Sequence, residues 1–232
     1  IVGRNKEDKK KFGKEGLVYL GKGYVTMGNY TSLSNSIYMD VARSHVVLVA
    51  GKRGSGKSYT LGVVAEEMAN LPEDVAKNIA PLIFDTMGIF WTMKFKNEKE
   101  KEILHEQKLE PQGLPVRTFA PFGKIKDYES KNIPIDYAFA LEASELEAED
   151  WILTFNLSMT SQEGVLIEKV VAELKETLEE FTIKDIRDKI SLEKEISQET
   201  KNIGLALFQA ADTWGIFAKT GKGTKISDLV EA

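Results

Sequence analysis

Cysteine is absent from this 232-residue chain. Its absence removes disulfides, thiolate zinc sites and cysteine nucleophiles together. Histidine is almost absent too, with only His45 and His105 present, so no histidine-based metal site is expected. No apolar run approaches the roughly 18 residues of a membrane-spanning helix; the longest candidate, Val46 to Ala50, is strand-sized. Residues 1–14 are too polar to supply the apolar middle of a secretory signal. We therefore expect a cytoplasmic protein with no membrane association. Neither sign of charge dominates. A formal net charge of −5 argues against general coating of nucleic acid, yet leaves room for a local basic channel. The one basic cluster, Lys9, Lys10, Lys11 and Lys14, reads as a solvated, flexible tail.

What is present is ordinary for a globular protein, with 42% hydrophobic and 29% charged residues. Four stretches differ in character. Residues 1–40 are glycine-punctuated and β-leaning, with Gly21-Lys-Gly23 between Leu17-Val-Tyr-Leu20 and Tyr24-Val-Thr-Met27; they read as a short hairpin or two. Residues 41–122 alternate strand and helix. Val46–Ala50 is continuously apolar, as in a strand covered on both faces. Tyr59 to Asn70 places Leu61, Val64, Ala65 and Met68 on one helical face, and Leu71-Pro72 ends it. Ile79–Phe84 is a second strand ending at Asp85, Lys94 to Lys108 a charged helical connection, and Val116–Phe119 a third strand. This alternation predicts a parallel α/β sheet.

Residues 123–218 read as a helical insertion. Ser144-Glu-Leu-Glu147 matches a capping box, and helical spacings cover Gly164 to Glu180, Thr182 to Ile190 and Ser197 to Trp214. Residues 219–232 return to turn chemistry at Thr220-Gly-Lys-Gly223.

One motif carries chemistry. Gly51-Lys52-Arg53-Gly54-Ser55-Gly56-Lys57-Ser58 fits G-x-x-x-x-G-K-[ST] in full. An apolar strand leads in and an amphipathic helix leads out. Gly51, Gly54 and Gly56 free the backbone to turn its N–H groups inward on a triphosphate, and the following helix aims its free N–H groups at the same point. Lys57 is the expected partner of the β- and γ-phosphates, and the Ser58 hydroxyl the expected Mg²⁺ ligand, with ATP the favoured nucleotide. Tyr59 completes the nucleotide-binding set. Arg53 has two readings, a contact to phosphate or a neighbouring subunit, and a plain solvated side chain. Asp85 also has two: an acid facing the nucleotide crevice, or a cap on the following turn, with Met87, Phe90 and Trp91 as core.

The run His45 to Thr60, followed by Ile83-Phe-Asp-Thr-Met-Gly-Ile-Phe-Trp91, resembles the HerA-like branch of the HerA/FtsK ATPases, and most nearly an archaeal HerA-like group. Trp214-Gly-Ile-Phe217 resembles that group as well. The resemblance spans roughly residues 20–230. It implies a P-loop, RecA-like motor domain, a homo-oligomeric and usually hexameric ring, and ATP-driven movement or unwinding of DNA in end processing or repair, with a NurA-like nuclease as partner. Under it Lys57 and Ser58 become the nucleotide and Mg²⁺ residues, and Asp85, paired with Lys57 as catalytic, takes the place of the second-strand acid.

Two departures accompany it. HerA proper carries Asp-Pro-His-Gly-Glu at the second strand, and here Met87 and Ile89 replace the His and Glu. No apolar strand ending in Asp-Glu follows the helical region, and no arginine finger can be assigned; Ile226 to Asp228 is too short and polar to be that strand. The expectation is thus a fragment holding the first half of a motor, which binds nucleotide and scarcely hydrolyses it alone. Two other classes stand beside the motor. One is a P-loop kinase or GTPase, for which neither a basic lid nor an Asn-Lys-x-Asp motif is found. The other is a nucleotide-gated module that does not act on DNA.

Overall fold

The computed structural model describes residues 1–220 and 222–230. Gly221 of the expected Thr220–Gly223 turn and the last two residues of the 219–232 stretch lie outside the described residues. The chain divides into two compact units, Ile1–Val116 and Arg117–Ala232. Mixed α/β structure is found, with small sheets.

The first unit opens with α1 (Lys6–Phe12), capped where the Asn5 side chain accepts the Asp8 N–H at 2.8 Å. The expected flexible tail is therefore a short helix. Lys9, Lys10 and Lys11 fill its last turn, where cations meet the negative end of the helix dipole. Phe12 adds a reason for order: the Lys11 ammonium and the Arg43 guanidinium lie 5.2 and 5.3 Å from its ring centre.

β1 (Leu17–Met27) and β2 (Tyr30–Asp40) form one long antiparallel hairpin, turning at Gly28 and Asn29. Gly21-Lys-Gly23 does not break it into two hairpins. The glycines sit in register irregularities beside Tyr19/Gly21 and Lys22/Gly23, and Gly21, at φ +144°, supplies backbone that a side chain would resist. Val2 runs parallel beside Met39, donating to the Tyr38 carbonyl at 2.7 Å and accepting the Asp40 N–H at 3.0 Å. α2 (Lys57–Ala69) packs against β1, where Glu67 Oε2 accepts the Tyr19 N–H at 3.2 Å. α3 (Glu73–Ala76) follows Pro72. The charged connection expected over 94–108 resolves into a 3₁₀ turn at Phe90–Lys94 and α4 (Lys101–Glu106).

Two expected strands take another form. Neither Val46–Ala50 nor Ile79–Phe84 pairs with another strand among the described residues. Leu48 is 88% exposed and Phe84 85%. The physical reason is that an apolar run is satisfied as a central strand only when neighbours bond both edges and cover both faces, and no described segment does so here.

The parallel pairing lies instead in the second unit, where β3 (Phe119–Pro121) pairs with β4 (Tyr137–Phe139) on either side of α5 (Ile125–Glu129). The third strand expected at Val116–Phe119 therefore begins three residues late. Beyond β4, Leu141 bridges in parallel to Phe217, with its N–H on the Ile216 carbonyl at 2.8 Å.

The helical expectation holds most closely. α6 (Ala148–Thr154) starts three residues later than a Ser144 cap would place it, capped by Glu147 and Asp150, while Ser144 lies in a 3₁₀ turn. The carboxylate pair wins because it stands at the N-cap and N3 positions. α7 (Gln162–Thr177), α8 (Ile183–Leu192) and α9 (Gln198–Thr213) are capped by Ser161, Thr182 and Ser197. Their inward faces bury Leu166, Ile167, Val170, Ile186, Ile190 and Phe208 around Trp151; each such side chain contributes roughly 1.5–3 kcal/mol. Phe208 and Phe217 each lie 5.0 Å, centre to centre, from Trp151. α10 (Ile226–Val230) makes a helix of the segment considered above as a late strand.

Candidate functional site

The motif from Gly51 to Ser58 forms a loop on the surface of the first unit, running directly into α2. Two of its glycines adopt left-handed backbone: Gly54 at φ +78° and Gly56 at φ +87°. Gly51 is needed for space instead, since a Cβ there would collide with Ser55 Oγ. Gly56 is also the N-cap of α2, and it offers no side chain to the first-turn N–H groups. Those donors are thus left for an incoming anion. The loop closes on itself through Ser55 N–H to the Lys52 carbonyl at 3.2 Å, and through Lys57 Nζ to the same carbonyl at 2.9 Å. Thr60 Oγ1 donates to the Gly56 carbonyl at 3.1 Å, fixing the first turn of α2.

The residues present fit a triphosphate with Mg²⁺. A glycine cradle, an uncapped helix N-terminus and one half-buried ammonium supply positive potential, and the exposed Ser58 hydroxyl is a hard oxygen ligand of the kind Mg²⁺ takes. Arg53 and Lys52 are exposed, and the Arg53 side chain has no hydrogen bond or ion pair among the described residues.

Asp85 is half-buried, and its Oδ2 accepts the Phe90 N–H at 2.7 Å. The carboxylate thus closes the turn Asp85–Phe90. Met87 is 77% exposed, whereas Phe90 and Trp91 are half-buried. Trp91 Nε1 donates to the Gly88 carbonyl at 2.9 Å.

Beside the loop, a cleft of about 630 Å³ runs between α2 and the segment that follows Asp85. Ser58, Tyr59 and Glu66 line one side, Trp91 and Phe95 the other, with Gln112 at the end of Glu66. Tyr59 donates its hydroxyl to Glu100 Oε2 at 3.2 Å. Burial and the neighbouring Glu100 carboxylate push the Tyr59 hydroxyl above its ordinary pKa, so it remains a donor at neutral pH. Sequence reasoning included Tyr59 but missed Glu66 and Gln112, and treated Trp91 as possible core. Trp91 and Phe95 meet because Phe95 leaves the 3₁₀ turn in extended backbone, which no local spacing marks.

A second polar cluster anchors the chain just before the loop. Arg4 and Asp40 form a fully buried ion pair, Arg4 Nε reaching Asp40 Oδ1 at 3.1 Å. His45 Nε2 lies 3.1 Å from Asp40 Oδ2. Burial alone would raise the Asp40 carboxyl, but hydrogen bonds to Arg4 and His45 outweigh it and hold the group below its ordinary value.

A glycine-rich loop opens a helix within a mixed α/β chain. The family model described as "Helicase HerA, central domain" matches residues 23–212. The chain therefore belongs to the HerA family of the HerA/FtsK superfamily, whose central domain is an ATPase motor. No curated protein and no solved structure matches it. Among the described residues, no helix is long and apolar enough to cross a membrane.

Proposed function

We propose that this chain is the ATP-binding motor domain of a HerA-like DNA translocase or helicase, in which ATP with Mg²⁺ drives DNA movement during end processing or repair. The loop Gly51–Ser58 carries the reading, with its two left-handed glycines and uncapped helix start. Family membership supports the motor assignment. In this reading residues 1–40 form a β-rich lead-in, 41–122 the first part of a RecA-like core, 123–218 a helical insertion and 219–232 a return toward the core. Lys57 binds phosphate, Ser58 ligates Mg²⁺, and Asp85 faces the nucleotide. The working form is a homo-oligomer, a hexameric ring around DNA, in the cytoplasm and partnered by a NurA-like nuclease.

The test is ATP hydrolysis by the full protein with and without duplex DNA. The motor reading expects DNA to stimulate turnover and Lys57→Ala to abolish it. One rate with and without DNA, together with no DNA binding, overturns it.

A nucleotide-gated module that does not act on DNA is the second reading. The hydrogen bond from Phe90 N–H to Asp85 favours it, because it gives the acid a structural task. A Lys57→Ala protein that assembled and bound its partners normally would speak against gating.

A further inference from the structure

Charge is unevenly placed along the chain. Residues 1–14 carry six cations and two carboxylates, a net of +4 in a chain whose total is −5. Four of the six cations lie on α1. At helical spacing Lys6, Lys9 and Lys10 share one face, while Asp8 and Phe12 lie on the other. Asp8 Oδ1 is taken by Arg43 Nη2 at 3.2 Å, so this acid of the helix is committed away from the lysines. Lys6, Lys9, Lys10 and Lys14 are exposed, and among the described residues none has a side-chain hydrogen bond or ion pair.

The helix is held in place despite the repulsion along that face. Asn5 caps its start. Arg4 Nη1 donates to the Gly13 carbonyl at 3.0 Å and Nη2 to the Glu15 carbonyl at 2.6 Å, which fixes the chain leaving its end. The helix dipole accounts for lysines in the last turn, but Lys6 stands in the first, where a cation meets the positive end. Lys6 and Lys10 are also like charges at i,i+4, a pairing that costs stability. An ordered row of unneutralised lysines that carries these costs fits a surface neutralised by a polyanionic partner.

We propose that this face of α1 is a contact surface for the phosphate backbone of duplex DNA. The proposal rests on the DNA-translocase reading and adds a place, apart from the nucleotide loop, where the chain meets its substrate. Three features of the patch select this partner. Lysine is a compact point charge that meets phosphates without fixing a base sequence, as a protein moving along DNA requires. The face carries no apolar side chain to bury in a lipid surface, since Phe12 is half-buried beneath Lys11 and Arg43. Lysine is depleted from protein–protein interfaces, so an acidic protein is the poorer fit.

The experiment measures binding of the full chain to a blunt DNA duplex of mixed sequence by fluorescence anisotropy, from about 50 to 200 mM salt. Anionic phospholipid vesicles serve as a second probe. Each lysine contact should contribute about 0.9 to the slope of log affinity against log salt concentration. Lys6→Gln with Lys9→Gln and Lys10→Gln should lower that slope by about 2.7, so that its affinity falls about 40-fold less than the wild type's over the same range. The matching triple arginine variant should keep the slope, and melting should not fall in either variant. A slope unchanged in the glutamine variant, or lost in the arginine variant as well, overturns the α1 surface and leaves the translocase reading standing. Binding to vesicles without binding to the duplex overturns it in favour of lipid. No binding to the duplex at the lowest salt also overturns the surface; the translocase reading falls with it only if DNA fails to stimulate ATP turnover by the full protein.

Discussion

Lys57 Nζ donates to the Lys52 carbonyl at 2.9 Å, folding back across the loop that contains them both. The ammonium is thus held against the loop backbone. Removing it takes away one charge-assisted contact, worth roughly 1.5–3 kcal/mol. Lys57→Ala should therefore weaken ATP binding by about 10- to 150-fold. Thermal unfolding should move little, since the rest of the loop is exposed. Calorimetric titration beside a melting curve checks both.

Gly51 and Ser55 make a second relationship open to test. A methyl at residue 51 would run into Ser55 Oγ, which is a side-chain atom and can be removed. Gly51→Ala should weaken nucleotide binding, and Gly51→Ala with Ser55→Ala should recover part of the loss. A double-mutant cycle on ATP affinity reads the coupling; additive losses would show that Ser55 is not the obstacle.

Asp40 sets an acid limit on the first unit. Its carboxyl titrates lower in the folded chain than in the unfolded one. The unfolded state therefore binds more protons, and the ion pair stabilises the fold above the ordinary carboxylate pKa. That stabilisation is lost as pH falls through the folded value. Asp40→Asn leaves the Arg4 guanidinium buried without its counter-charge, at a cost of about 3–5 kcal/mol. It should also flatten the acid limb of a stability-versus-pH curve, measured by denaturant unfolding from pH 7 to pH 2.

Gly123 and Gly215 approach so closely that a Cβ on Gly123 would stand 2.7 Å from the Gly215 Cα. Backbone cannot yield as a flexible side chain does. Gly123→Ala is expected to destabilise the second unit by on the order of 1–3 kcal/mol, seen as a lower denaturant midpoint. Ala206→Gly, at an exposed position inside α9, serves as a comparison whose cost comes from helix propensity alone, about 1 kcal/mol.

These relationships divide according to what a sequence can carry. The helices around Trp151 were legible because Ser161, Thr182 and Ser197 cap them within three residues, and the apolar spacing repeats locally. The start of α6 was misplaced because Ser144 and Glu147 satisfy the same pattern that Glu147 and Asp150 fulfil. Gly21-Lys-Gly23 looked like a turn, yet glycine serves a bulge equally well, and only the partner strand decides which. Pairing of strands was least legible. Val46–Ala50 has the composition of a central strand, but composition does not state what lies beside it. In the candidate site, the loop Gly51–Ser58 was readable as one continuous motif. The Arg4–Asp40 pair joins residues 36 positions apart, and Gln112 meets Glu66 across 46. No local signal marks either.

The crossing of Gly123 and Gly215 also has a bearing on modularity. Gly123 N–H donates to the Gly215 carbonyl at 3.0 Å, yet the long stretch between them is also tied to its flanks through β3 with β4 and through Leu141 with Phe217. Exchanging that stretch would strip β3 of its partner strand and Phe217 of its contact with Trp151. A cassette of foreign sequence spliced between these two glycines would have to supply those pairings as well as ends a single hydrogen bond apart.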